Sequence, residues 1–205
     1  MPNHIKWEFE RDKCVLIVVD MQNDFVRAGG AMEVPEAKNQ VPKIQGLIQK
    51  CRESGVPVIY TVHETDPCYC PLEIAAFPHL KTKGMRGGSE GIQVVNELKP
   101  APADVVIKKR RFSAFYQTDL EIVLRNIRVA GNSVDTVIIC GTVTNICCES
   151  TARDAFFRDY KVVFGSDVCS ALTPGAHRAA LDNMEIFGRV MDCETIIKSL
   201  EKGKG

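Results

Sequence analysis

Short apolar runs rich in β-branched residues alternate along this chain with longer segments of helical spacing, and few folds can be built from such an order. Cys14 to Asp20 reads CVLIVVD, the pattern of a strand covered on both faces. Val41 to Ser54 then carries Ile44, Leu47, Ile48 and Cys51 on one helical face, with Gly55 as C-cap. Val56–Val62, Asp104–Lys109, Val134–Cys140 and Lys161–Ser166 are further strand-like runs. Helices are expected near Glu90–Leu98, over Thr118–Ile127 with Thr118 as N-cap, over Ile146–Phe157, and over Pro174–Phe187 with proline at its start. The tail from Gly188 offers a last short strand and a helix running into Gly203-Lys204-Gly205. This alternation predicts an α/β fold of three layers, a Rossmann-like central, mostly parallel six-stranded sheet with helices on both faces. No repeat or linker divides residues 1–205, so a single domain is expected.

Composition excludes several roles. Lys+Arg and Asp+Glu are both 26, so the chain lacks the positive field that nucleic-acid binding needs. Met1–Lys13 has no signal-peptide core, and no later run is long enough for a bilayer, so no membrane partner is expected. Nine cysteines sit mostly inside apolar runs, where a free thiol behaves as a small hydrophobe. A chain of 205 residues can bury a core without disulfides, and a reducing cytoplasmic location fits.

In open parallel sheets, ligands bind beyond the carboxyl ends of the strands. Three strand ends there carry chemistry: Asp20 in VVDMQNDF, Lys108-Lys109 in VIKKRRFSAF, and Cys147-Cys148 in GTVTNICCESTARDA. Singly, each has an ordinary structural reading as turn residue, edge charge or core thiol. Together at one rim they form an acid, a base and a thiol. A thiol near a helix start and an ammonium group has its thiolate favoured, and a carboxylate nearby can take the thiol proton.

The blocks DMQNDF, Lys109 to Phe115 (K-x-x-F-S-A-F) and Gly141 to Cys147 (G-x-x-T-N-x-C) resemble the three signature blocks of isochorismatase-like cysteine hydrolases, a group that includes nicotinamidase, N-carbamoylsarcosine amidohydrolase, ureidoacrylate amidohydrolase and biuret hydrolase. The resemblance implies Asp20 as base, Lys109 as third triad member and Cys147 as nucleophile, choosing Lys109 over Lys108 and Cys147 over Cys148. It also implies a cis peptide between Thr142 and Val143, and an oxyanion hole from the N–H groups of Val143 and Cys147. The implied reaction is hydrolysis of a small amide or carbamoyl C–N bond through a thioester, with isochorismatase-type or nicotinamidase-type hydrolysis as alternatives. A homo-oligomer, dimer or tetramer, acting on a small-molecule substrate is implied as well.

Phe25 and Thr144 are the expected substrate-binding residues; Tyr69, Phe112, Phe115 and Phe157 are each either a pocket lining or, more often, a core residue, and Arg86 and Arg111 either hold a substrate carboxylate or are solvated surface charges. His63, Cys68, Cys70 and His79 match no standard zinc spacing, so neither metal nor cofactor is expected. The segment His63–Ser89, rich in Pro and Gly, reads as a lid or interface.

Overall fold

The computed structural model describes residue 5 and residues 7 to 202; Gly203-Lys204-Gly205 and most of the first six positions lie outside it. Its elements are β1 (Cys14–Val19), α1 (Asn23–Val26), α2 (Ala37–Glu53), β2 (Val58–His63), α3 (Pro71–Ala76), β3 (Val105–Lys109), α4 (Leu120–Asn126), β4 (Thr136–Thr142), α5 (Glu149–Phe156), β5 (Lys161–Ser170), α6 (Pro174–Phe187), β6 (Arg189–Met191) and α7 (Cys193–Glu201). The sheet has six strands in the order β3-β2-β1-β4-β5-β6, and every pairing in it is parallel. This is the α/β fold that the alternation predicts. None of the described helices is long and apolar enough to cross a membrane.

All six residues of β1 are buried, and successive side chains alternate between two cores. Leu16 and Val18 pack with Ile44, Leu47 and Ile48 of α2 and Ile196 and Leu200 of α7. Val15, Ile17 and Val19 pack with Leu120, Leu124, Ala152, Ala155 and Met184 from α4, α5 and α6. Each fully buried aliphatic side chain contributes about 1.5–3 kcal/mol of transfer free energy. The sheet is thus a fixed floor.

Several boundaries differ from the sequence reading: the strand read as Lys161–Ser166 runs to Ser170, and the helix read from Thr118 starts at Leu120 with Asp119 as N-cap. Helix α2 begins at Ala37, one turn before Val41, and carries Pro42 inside it. Pro42 is past the first turn, so the Lys38 carbonyl lacks its usual N–H donor four residues on. The Glu90–Leu98 segment forms only a single 3-10 turn, Asn96–Leu98. Its backbone instead bonds to the stretch after β1, through Asn23 N–H to Gln93 O (2.9 Å) and Asp24 N–H to Gly91 O (2.8 Å). A Cβ at Gly91 would come within 2.2–2.5 Å of the Asp24 carboxylate, so only glycine permits that approach. The helix expected from Ile146 starts as a π-turn, Thr144–Cys148, before α5. Finally, the His63–Ser89 segment contains α3 and a 3-10 turn at Pro78–Lys81, neither of which periodicity reveals.

Candidate active site

The sheet's strand order reverses between β1 and β4, and the crevice beyond their carboxyl ends is where such sheets take ligands. The two strands meet closely because Gly141 has no side chain: a Cβ there would lie 2.1 Å from Val19 O. Gly141 also has φ +120°, a conformation that favours glycine. Asp20 follows β1 at φ +49°, a left-handed turn that aspartate tolerates better than most residues. Thr61 of β2 fixes it: the Thr61 hydroxyl accepts from Asp20 N–H (3.1 Å) and donates to Asp20 Oδ1 (2.6 Å). Thr142 Oγ1 donates to Asp20 O at 3.0 Å. The Thr142–Val143 peptide is cis.

Lys109 ends β3 with its side chain fully buried, Nζ 2.7 Å from Asp20 Oδ2. Its neighbour Lys108 points to the exposed face, as strand alternation requires. Burial works against the Lys109 ammonium, but Asp20 and then Cys147 hold its pKa above the ordinary value. Cys147 sits in the π-turn, 2 % exposed. Cys148 is also buried, with its pKa pushed well up by burial and by Cys169. The Cys147 thiol is itself pushed up to about 12, by burial first, with Lys109 pulling the other way. The expectation of a favoured thiolate is therefore corrected: desolvation of the charged form outweighs the nearby ammonium.

His63, at the end of β2, joins this group. Its Nδ1 lies 3.2 Å from Lys109 Nζ and 3.9 Å from Cys147 Sγ, and its Nε2 lies 3.1 Å from Glu73 Oε2. Burial, then the Lys109 ammonium, lowers its pKa against the opposing pull of Glu73 and Asp20. A neutral ring beside an ammonium must present its lone pair on Nδ1, so the proton is on Nε2 and is donated to Glu73. Gln22 locks the ring's backbone on both sides, His63 N–H donating to Gln22 Oε1 (2.8 Å) and Gln22 Nε2 donating to His63 O (2.9 Å).

Above Cys147 lies a narrow cavity of about 30 Å³, walled by Phe25, Phe77, Leu80, Met85, Phe112 and Ile146 among others. An outer cleft of about 400 Å³ shares Glu73 and Phe112 with it. Phe25 and Phe112 thus line the cavity, as their positions suggest. Thr144 does not: its hydroxyl is engaged by His177 Nδ1 at 2.9 Å. Tyr69 and Phe157 are exposed and Phe115 is in the core. Arg86 Nη1 donates to Thr65 O (2.9 Å) and Nη2 to Leu80 O; Arg111 donates to Tyr69 O and Arg110 O. Both arginines brace the chain instead of presenting a free fork to a ligand.

The residues His63, Cys68, Cys70 and His79 are not brought together. His79 Nε2 lies 2.9 Å from Ala31 O, Cys68 is exposed, and Cys70 Sγ lies 3.1 Å from Arg111 Nη1. Asp20, His63 and Cys147 do converge, their ligand-type atoms all within 4.8 Å of one another. A divalent ion there would face the Lys109 ammonium that Asp20 and His63 already hold. Sequence reasoning assigned no role to His63, Thr61 or Glu73. The strand-end rule applied to β2 reaches His63 directly, whereas Glu73 has no sequence signal.

A buried carboxylate–lysine–cysteine group at the switch point of a parallel sheet defines a cysteine hydrolase of the α/β class. Residues 14–195 match the model of the Isochorismatase domain. A cysteine hydrolase from Pseudomonas syringae pv. phaseolicola 1448A is 33% identical, with 96% of each chain covered and a TM-score of 0.88. N-carbamoylsarcosine amidase from Thermoplasma acidophilum is 30% identical over 89% of this chain and 97% of that one, at TM-score 0.75. Nicotinamidase from Bacillus subtilis is 28% identical over 88% and 99%, at 0.77. The chain belongs to the isochorismatase family, and it is an isochorismatase-like cysteine hydrolase.

Proposed function

We propose that the enzyme hydrolyses a small amide or carbamoyl C–N bond through a thioester on Cys147. The observation that carries this reading is the ion pair of Lys109 with Asp20 at 2.7 Å, fully buried, within reach of the Cys147 thiol. A thiol held up to about 12 is protonated at rest, so its proton must leave as the sulfur attacks. Asp20 is the acceptor, and Lys109 keeps Asp20 charged and oriented. As the C–S bond forms, charge on the carbonyl oxygen falls to the N–H groups of Val143 and Cys147. The proton on Asp20 passes to the departing nitrogen, the C–N bond breaks, and ammonia or an amine leaves. Water, deprotonated by Asp20, then cleaves the thioester and regenerates the thiol. The TNICCESTARDA block and the absence of a His-rich metal motif after the second strand favour a carbamoyl or ureido compound over a pyridine carboxamide, so ureido or biuret-type compounds are the proposed substrates.

Cys147→Ala should lower ammonia release from such compounds by at least about 10⁴-fold while leaving the thermal unfolding midpoint near wild type. Cys148→Ala should keep most of the activity. Rapid-quench mass spectrometry should show an acyl adduct on the Cys147 peptide alone. Equal losses from the two alanine variants would defeat the assignment.

A further inference from the structure

The polar groups around the cavity are almost all engaged with one another. His63 Nε2 is bonded to Glu73 Oε2 at 3.1 Å, Thr65 Oγ1 donates to Met85 O at 3.3 Å, and Asp20 faces Lys109. The exception is Glu73 Oε1. It is buried, with no hydrogen-bond partner among the described residues, on a side chain only 10% exposed. Glu73 stands between the inner cavity and the outer cleft and lines both. A buried acceptor left without a donor is destabilising, and such a group at a cavity wall is satisfied when a ligand brings the donor. No arginine or lysine lines the inner cavity among the described residues. The two arginines closest in sequence to its walls, Arg86 and Arg111, donate to backbone carbonyls.

We propose that Glu73 Oε1 accepts an N–H of the substrate on the far side of the scissile carbonyl, so that the site takes uncharged or cationic amides and ureas and rejects those carrying a carboxylate at that end. The inference rests on the C–N hydrolysis reading and narrows it, favouring biuret-like ureas over ureido acids. A substrate carboxylate there would meet the Glu73 carboxylate in an apolar enclosure that no arginine or lysine lines among the described residues, Arg111 lining only the outer cleft. Glu73 acts as a recognition residue and takes no part in the proton transfers. Because it sits on α3, it ties substrate identity to the roof of the cavity, and through His63 to the Lys109–Asp20 pair.

Alkylation of Cys147 tests this without requiring turnover. Iodoacetamide and iodoacetate have the same length and leaving group but end in an N–H donor and a carboxylate respectively, and exposed Cys68 is a reference in the same chain. By peptide mapping, the amide-to-acid rate ratio at Cys147 should exceed that at Cys68 by about tenfold or more, the scale of one hydrogen bond to a charged group. Glu73→Gln should bring the two ratios together, whereas a merely structural role would slow both reagents alike. A Cys147 ratio no greater than that of Cys68, no labelling of Cys147 by either reagent, or a ratio unchanged in Glu73→Gln would overturn the proposal. Ammonia release separates the two readings: the labelling preference without turnover of any amide retains Glu73 and sinks the hydrolase assignment, and faster turnover of N-carbamoylglycine than of biuret does the reverse.

Discussion

On the floor of the cavity, Asp20, His63, Lys109 and Cys147 stand at or just beyond the ends of four adjacent parallel strands, of which β1, β2 and β4 are paired on both sides and β3 forms the sheet's edge. The roof, residues 64 to 95, has one six-residue helix and a 3-10 turn, and a few buried polar hooks hold the rest. Asp24 Oδ2 accepts Met85 N–H at 2.6 Å, Asp24 Oδ1 accepts Ala31 N–H at 3.3 Å, and Thr65 N–H donates to Met85 O at 2.8 Å. Arg86 closes the same loop onto Thr65 O and Leu80 O. The floor is positioned by many cooperative interactions and the roof by few. Chemistry placed on the first and recognition placed on the second can therefore vary separately.

The largest effect is expected where the floor's one fully buried ion pair is broken. Lys109→Met leaves Asp20 charged and uncompensated, at a cost of about 3–5 kcal/mol in unfolding free energy, along with loss of turnover. Lys108→Met, on the exposed face of the same strand, should change stability by less than about 0.5 kcal/mol. Urea unfolding of the two variants side by side decides it. Similar costs would mean that the floor is not organised around this pair.

This contrast also explains what was legible in the sequence. The floor could be read because alternation fixes the strands and a parallel sheet brings their carboxyl ends together. Asp20, Lys109 and Cys147 then fall at one rim whatever the loops do. Phe25 follows from its place just after β1. The roof could not be read, because its order comes from pairs such as Asp24 with Met85, 61 residues apart, and leaves no local period. Thr144 lies three residues before Cys147 in sequence, yet His177, 33 residues on, takes its hydroxyl. Arg86 and Arg111 look like ligand forks until the carbonyls they hold are seen. The raised Cys147 pKa also needs the structure, since burial is a three-dimensional quantity that outweighs the visible lysine.

A smaller effect should come from unhooking the roof alone. Asp24→Asn must turn its NH2 toward either the Met85 or the Ala31 N–H, losing one acceptor at a cost of about 1–3 kcal/mol. The loss should be local: amide exchange at Met85 and Thr65 should quicken well before exchange in β1, and KM should rise more than kcat falls. Uniformly faster exchange across β1 and β4 would show that floor and roof open as one unit, removing the distinction between them.

The smallest effect concerns His63, where floor and roof touch. Burial and the Lys109 ammonium lower its pKa below the ordinary 6.5, so the folded protein keeps the ring neutral at a pH where the unfolded chain protonates it. Above about pH 6.5 neither state binds that proton, and His63 adds no pH dependence to stability. Below it the unfolded state binds more protons, so stability falls as pH falls, and the loss levels off once the folded pKa is passed. Over one pH unit a single proton changes unfolding free energy by at most about 1.4 kcal/mol. Wild type should therefore lose more stability than His63→Gln between pH 7.5 and 5.5, by up to about that amount, as measured by urea unfolding at both values. Identical losses would mean that folded His63 takes up its proton as readily as the unfolded chain does. Below about pH 6.5 Nδ1 would then have no lone pair for Lys109, and the chain of contacts from Glu73 to Asp20 would have to carry a different set of protons there.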